Sequence, residues 1–346
     1  MLQVRLYFAP LEGVTDVHFR GIHARLFSDS PADAYFAPFF SPTADTPMAE
    51  RDRRGLSREN NIGQAVIPQI MANKPEAFLL GARALSEMGY TEVNLNLGCP
   101  SGTVVSKNRG AGFLSDPDGM DRFFDAVFSD PLFSGGDGMH LSVKTRLGMF
   151  DPREFYDILP IYNRYPITEV ILHPRVRREL YRGDVHTDML LYTASNSVHP
   201  VCVNGDLFTV NDVRCTLKAF SDNGIIAPAS FMFGRGAVSN PQLIGQARAM
   251  LMGKEVPPLS RDRLYAFFLA LYHDAKNRLS GERHVLFRLK ELFAYWIVLF
   301  DEADSYRRRL RKAETAAEFL SCAEELFALC PFCEDPGFFG NAKMNG

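Results

Sequence analysis

The sequence predicts a (β/α)8 barrel followed by a small all-α helical domain, and three observations carry that reading. Eight short, β-rich apolar runs begin near Val4, Ala34, Val66, Glu92, Leu141, Glu169, Pro200 and Ala229, spaced by about one βα unit. Helical patterns with recognisable starts lie between them, and polar residues gather at the ends of the runs. Eight such units fill about 250 residues, the size of a closed parallel barrel. An open doubly wound sheet would need fewer strands and a Gly-rich first turn, which this sequence lacks.

The connecting helices announce themselves by their caps. Asn73-Lys-Pro-Glu76 and Asp151-Pro-Arg-Glu154 have the spacing of capping boxes with an early proline, and Asn240-Pro241 reads as an N-cap followed by proline at the first helical position. From Pro257-Pro258 onward only helical spacing remains: Leu264, Phe267, Phe268, Leu271, Tyr272, Ala275 and Leu279, then Leu289, Leu292, Phe293 and Trp296. The expected division is a catalytic barrel over 1–256 and a helical unit over 257–346.

Composition narrows the classes. With 346 residues, 46% of them hydrophobic, the chain can bury one large core plus an appendage. Lys and Arg number 38 against 41 Asp and Glu, a net charge of −3, so affinity for nucleic acid must come from local clusters. The N-terminus has no secretory pattern, and the longest apolar run, Leu292 to Phe300, falls short of the ~20 residues that cross a bilayer. A cytoplasmic protein with no membrane partner and no stable protein partner is expected. The six cysteines are expected as thiols rather than disulfides, and Cys330-Pro-Phe-Cys333 lacks a second pair, so no metal is expected.

The strand-end residues carry the functional signal. They are Pro10 with Glu12, Gln69, Asn94 with Asn96, Lys144 with Arg146, His173, Asn204, and Gly234 with Arg235. In a barrel these meet at the C-terminal mouth, where active sites are built. The loops after the last two strands, Asn204-Gly205-Asp206 and Gly234-Arg235-Gly236, offer glycine, backbone N–H groups and a fixed cation, which suits a cofactor phosphate. Lys144 should face the barrel axis, where an ammonium needs an anion. A reduced flavin, a Schiff base or a buried carboxylate would each satisfy it, and the amides of Gln69 and Asn96 favour the flavin. Cys99, in Asn96-Leu-Gly-Cys-Pro-Ser101, reads as a small packing residue, a nucleophile or a general acid.

These residues resemble the tRNA-dihydrouridine synthase family. The signatures are Ala9-Pro-Leu-Glu-Gly-Val-Thr-Asp16, Asn94-Leu-Asn-Leu-Gly-Cys-Pro-Ser101, Lys144-Thr-Arg146, His173-Pro-Arg175, Asn204-Gly-Asp206, and Gly234-Arg-Gly236 with Asn240-Pro241. The sequence departs from the family pattern at Pro174 and Val176. The resemblance implies FMN held by Gln69, Lys144, His173, Asn204, Gly205, Asp206, Gly234 and Arg235, its ring over Pro10 and Leu11. It implies a uracil pocket lined by Asn96 and Arg146, NADPH or NADH as a transient hydride donor, and Cys99 as the acid that protonates C5 of the base. Three basic clusters, Arg175 to Arg182, Lys276 to Lys290 and Arg307 to Lys312, then read as a footprint for structured RNA. Arg175, Arg178, Arg283, Arg288, Arg308 and Arg311 are the expected substrate contacts, with Tyr181 available for stacking. Transfer RNA is the implied partner; ribosomal RNA, or a free pyrimidine as in a dihydroorotate-type dehydrogenase, is the alternative.

Overall fold

The computed structural model describes residues 4–135 and 138–333. Nine parallel strands form one sheet: β1 (Arg5–Phe8), β2 (Ala34–Phe36), β3 (Val66–Ile67), β4 (Gln69–Ile70), β5 (Glu92–Leu97), β6 (His140–Thr145), β7 (Val170–Leu172), β8 (Val201–Asn204) and β9 (Ser230–Phe233). Their order is β3-β2-β1-β9-β8-β7-β6-β5-β4, so the sheet begins and ends on two halves of one segment. Pro68 separates the halves because proline has no N–H for the ladder. The sheet therefore closes as an eight-stranded (β/α)8 barrel. The eight predicted starts each fall within one residue of an observed strand.

Side-chain caps explain several of the helix starts, among them those at Asp16, Asp116, Thr209, Ser260 and Thr315. Asp151 and Glu154 form the reciprocal box their spacing predicts. The box expected at Asn73 does not form: Lys74 occupies the cap position without a side-chain bond, and Asn73 Nδ2 donates instead to the Lys107 carbonyl at 3.3 Å. Asn240 Oδ1 accepts from Gln242 N, and the helix proper begins at Leu243.

The barrel interior is divided. One half is apolar, filled by Tyr7, Phe36, Ile171, Cys202 and Met232 from β1, β2, β7, β8 and β9. The half formed by β4, β5 and β6 is polar, and register sets its side chains shoulder to shoulder: Gln69 beside Asn94, Asn94 beside Ser142, Asn96 beside Lys144.

Beyond Ser260 come helices Arg261–Arg278, Glu282–Trp296, Asp304–Lys312 and Ala316–Leu329. Their apolar faces share one core with the outer helices of the barrel. Trp296 is fully buried and donates Nε1–H to the Val238 carbonyl at 2.8 Å, while Phe267 meets Phe19 edge-on at 5.3 Å. The Pro257 and Pro258 carbonyls accept from Gln246 and Gln242. Residues 334–346 of the expected helical unit lie outside the described residues. Among the described residues no helix is long and apolar enough to cross a membrane.

Candidate active site

Two adjoining cavities occupy the mouth. The larger, about 590 Å³, is lined by Pro10, Leu11, Gln69, Asn96, Cys99, Lys144, Arg146 and Tyr181. The smaller, about 80 Å³, is lined by His173, Asn204, Gly205, Asp206, Gly234 and Arg235, and shares Pro10, Leu11, Lys144 and Tyr181 with the first. Strand ends from all around the barrel thus meet at one place, because inward side chains alternate along each strand and the last ones reach the rim.

Lys144 projects from β6 into both cavities, and no hydrogen bond or ion pair to its ammonium exists among the described residues. Burial, with Arg146 close by, lowers its pKa to about 8. Burial of such a cation is costly unless an anion lies beside it. Arg146 is fully buried, donating from Nε to the Gly98 carbonyl at 3.0 Å and from Nη1 to the Val176 carbonyl at 3.1 Å. It therefore braces the Cys99 loop against the loop after β7.

Cys99 is half-buried at the larger cavity, and burial raises its thiol pKa, so the sulfur keeps its proton at neutral pH. Its backbone is pinned: Asn96 Oδ1 accepts from the N–H of Gly98 at 3.0 Å and of Cys99 at 2.9 Å. Arg177 Nε adds a bond to the Pro100 carbonyl at 3.2 Å.

The smaller cavity has the build of an anion nest. Gly205 has φ +109°, and a Cβ there would stand 2.8 Å from the His173 ring. The helix Arg235–Ser239 starts directly after Gly234, and a Cβ on Gly236 would strike the Leu207 carbonyl at 2.0 Å. Arg235 lies over the Tyr181 ring at 4.6 Å and pairs with Asp206 at 3.1 Å. His173 is buried among Arg146, Lys144, Arg175 and Arg235, and its desolvation first, then those cations, hold its pKa well below the usual value. The ring is neutral at pH 7.

The structure does not bring every expected contact to the surface. Arg175 is fully buried, bonded to Asp206, His173 and the Gly183 carbonyl, so it supports the nest from below and cannot meet an RNA phosphate. Arg288 spends both terminal nitrogens on the Gly13 and Val14 carbonyls, which ties the Glu282–Trp296 helix to the loop after β1. Both depart from the expected substrate role, because their terminal nitrogens are taken by neighbouring carbonyls and carboxylates. Arg178, Arg283, Arg308 and Arg311 are exposed. Tyr181 has one ring flanked by Arg146 at 5.3 Å and Arg235 at 4.6 Å, so it is a cation-bound cover of the mouth. Two contributors are new: Arg177, from a cluster read only as charge, and Tyr295, which brings the helical unit to the cavity rim. Tyr295 stands at helical spacing from Arg288 and Glu291, which also face the loop after β1.

The family model described as Dihydrouridine synthase (Dus) matches residues 7–329. A "Probable tRNA-dihydrouridine synthase" of Staphylococcus epidermidis is 27% identical over 316 residues, covering 90% of each chain. A "Probable tRNA-dihydrouridine synthase 2" of Bacillus subtilis is 29% identical over 240 residues, 67% of this chain and 69% of that one. Among solved structures, histamine dehydrogenase from Rhizobium sp. 4-9 superposes with a TM-score of 0.53 at 12% identity, over 80% of this chain and 49% of that longer one, a likeness of fold. With the family model spanning barrel and helices alike, this chain belongs to the dihydrouridine synthase family.

Proposed function

We propose that this protein reduces uridine in tRNA to dihydrouridine in the cytoplasm, with FMN resident in the mouth and NADPH or NADH as the transient reductant. The observation that carries the reading is the convergence on two adjoining cavities of Lys144, which lines both and has no bonded partner among the described residues, of Gly205 and Gly234–Arg235 at the smaller, and of the Cys99 thiol, whose pKa burial raises, at the larger. A phosphate-bearing flavin fits this donor set. The nest offers backbone N–H groups and Arg235 to a phosphate, while Lys144 offers the positive charge that an electron-rich ring edge requires. Gln69, His173 and Asn204 would hold the same group, over the floor made by Pro10 and Leu11.

A bound FMN supplies hydride. The chain's own residues do the rest. A uridine must leave its stack to enter the larger cavity, where Asn96 and Arg146 would face its polar edge. Reduction at C6 leaves negative charge on the base, which Arg146 and Lys144 stabilise. Cys99 Sγ holds the proton that C5 needs, and burial keeps it there until it is required. Exposed Arg178, Arg283, Arg308 and Arg311 would grip the flanking phosphates, and the tRNA assignment comes from the names of the relatives.

The test is nucleotide-resolution mapping of dihydrouridine in cellular RNA with and without this gene. Loss of specific tRNA dihydrouridines in the deletion supports the reading. Loss confined to ribosomal RNA would change the substrate, and no loss in any RNA would overturn the assignment.

A further inference from the structure

The Cys99 loop is wired to the opposite end of the barrel. Gly98 N and Cys99 N donate to Asn96 Oδ1; Asn96 Nδ2 donates to Gln69 Oε1 at 2.8 Å; Gln69 Nε2 donates to Asn94 Oδ1 at 2.7 Å. Asn94 Nδ2 then donates to Ser142 Oγ at 3.0 Å, and Ser142 Oγ donates to Glu92 Oε1 at 2.9 Å. Glu92 begins β5 at the barrel floor and Cys99 follows its end at the mouth, so the relay runs the length of the interior. Gln69, Asn94 and Ser142 are fully buried, and Asn96 nearly so.

Every bond points the same way, and both ends force that sense. Backbone N–H groups can only donate, so Asn96 must turn its oxygen to the loop. A carboxylate can only accept, so Ser142 must donate to Glu92 and accept from Asn94. The three amides between these ends have no alternative orientation that keeps all bonds. In a low-dielectric interior a mismatched amide would strand buried donors or acceptors, which is costly.

We propose that Ser142 and Asn94 are positioning residues for Cys99: through the aligned amides of Gln69 and Asn96 they hold the Gly98–Cys99 turn in the place its chemistry needs. Neither touches the mouth cavities. The role as acid rests on the reading of Cys99 given above, whereas the mechanical link to the loop does not.

Ser142→Ala removes the hydroxyl that ends the amide run. Ser230→Ala is the control: it too is fully buried and donates to a carboxylate at the floor, Glu169, at 2.6 Å, yet among the described residues no chain of hydrogen bonds leads from it to the loop. Hydrogen exchange read by mass spectrometry on a peptide spanning 96–101, and the rate at which iodoacetamide alkylates Cys99, are followed in both variants. Ser142→Ala should speed exchange in that peptide about threefold to tenfold, the change that follows from one hydrogen bond of ordinary strength. It should also change the alkylation rate and lower kcat on tRNA by a similar factor with KM little altered, while Ser230→Ala leaves all three near wild type. Equal effects from both variants, or none from Ser142→Ala, would overturn the proposal. If the wild type makes no dihydrouridine while exchange and alkylation still respond only to Ser142→Ala, the positioning link stands and the functional reading falls.

Discussion

Arg175 and Asp206 meet side-on beneath the mouth, Nη1 on Oδ1 at 2.9 Å and Nη2 on Oδ2, with the guanidinium wholly removed from solvent. Asp206 also accepts from Arg235, so one carboxylate aligns two arginines under the nest. The turn that carries it is unusual: Asp206 has φ +48° directly after Gly205 at +109°. The pair thus fixes a strained loop, and its removal should be felt in stability first.

Asp206→Ala would leave two guanidiniums facing each other with no carboxylate between them. A buried pair broken on one side costs about 3–5 kcal/mol. Urea unfolding should register a loss of that order, together with loss of bound flavin. A fall in RNA affinity at unchanged stability would mean that these residues face the substrate after all.

Lys144 gives a pH signature with two opposite signs. Its folded-state pKa is depressed from 10.5 to about 8, so between those values the unfolded chain binds more protons and ligand-free protein gains stability as pH rises. Flavin affinity should move the other way, weakening once pH passes about 8, because the neutral amine no longer meets an anion. In Lys144→Met both trends should flatten, and flavin should be held poorly at every pH. Flavin fluorescence titrations alongside thermal melts would check both arms; an unchanged flavin dissociation constant in the variant would remove Lys144 from the cofactor site.

Much of this was legible in the sequence because barrels concentrate their signal. Strand starts follow from spacing, and polar residues at strand ends have one place to go. What the sequence concealed was direction. Arg175, Arg177 and Arg178 lie within four positions of one charge run, yet one is buried under the nest, one clamps the Pro100 carbonyl, and one is exposed. Residue spacing in an irregular loop carries no face, unlike spacing in a helix. Arg288 could have been placed better: three and four residues from the buried Val285 and Leu292, it sits at the edge of the buried stripe. Tyr295 reaches the mouth through the packing of its helix against the barrel, which no local pattern encodes.

The two half-reactions should separate at Cys99. Flavin reduction by NADPH requires no thiol, so Cys99→Ala should leave it near wild type, whereas turnover of uridine in tRNA should fall by about 10²–10⁴-fold, the range for a lost general acid. Because burial raises the thiol pKa, alkylation of Cys99 should be slow at neutral pH and accelerate in alkali. Stopped-flow reduction and product assays on the same preparation make the comparison. Wild-type turnover in the variant would reduce Cys99 to a packing residue.

The RNA grip should be carried by the arginines that remain free to reach it. Arg283, Arg308 and Arg311 are exposed, while their neighbour Arg309 is paired with Glu325 at 2.7 Å. If each contacts one phosphate, replacing the three by alanine should weaken tRNA binding and lower the log–log salt slope by roughly 0.7–0.9 per lost contact. Oxidation of NADPH without RNA should hardly change, because these side chains lie on the helical unit. Arg288→Ala should behave differently, loosening the tie to Gly13 and Val14 and lowering the melting temperature with the salt slope intact. Free uridine should be a poor substrate for every variant, since phosphate contacts remote from the base help to position it. An unchanged salt slope in the triple variant would move the footprint to the loop after β7, where Arg178 and Arg182 are exposed beside the mouth.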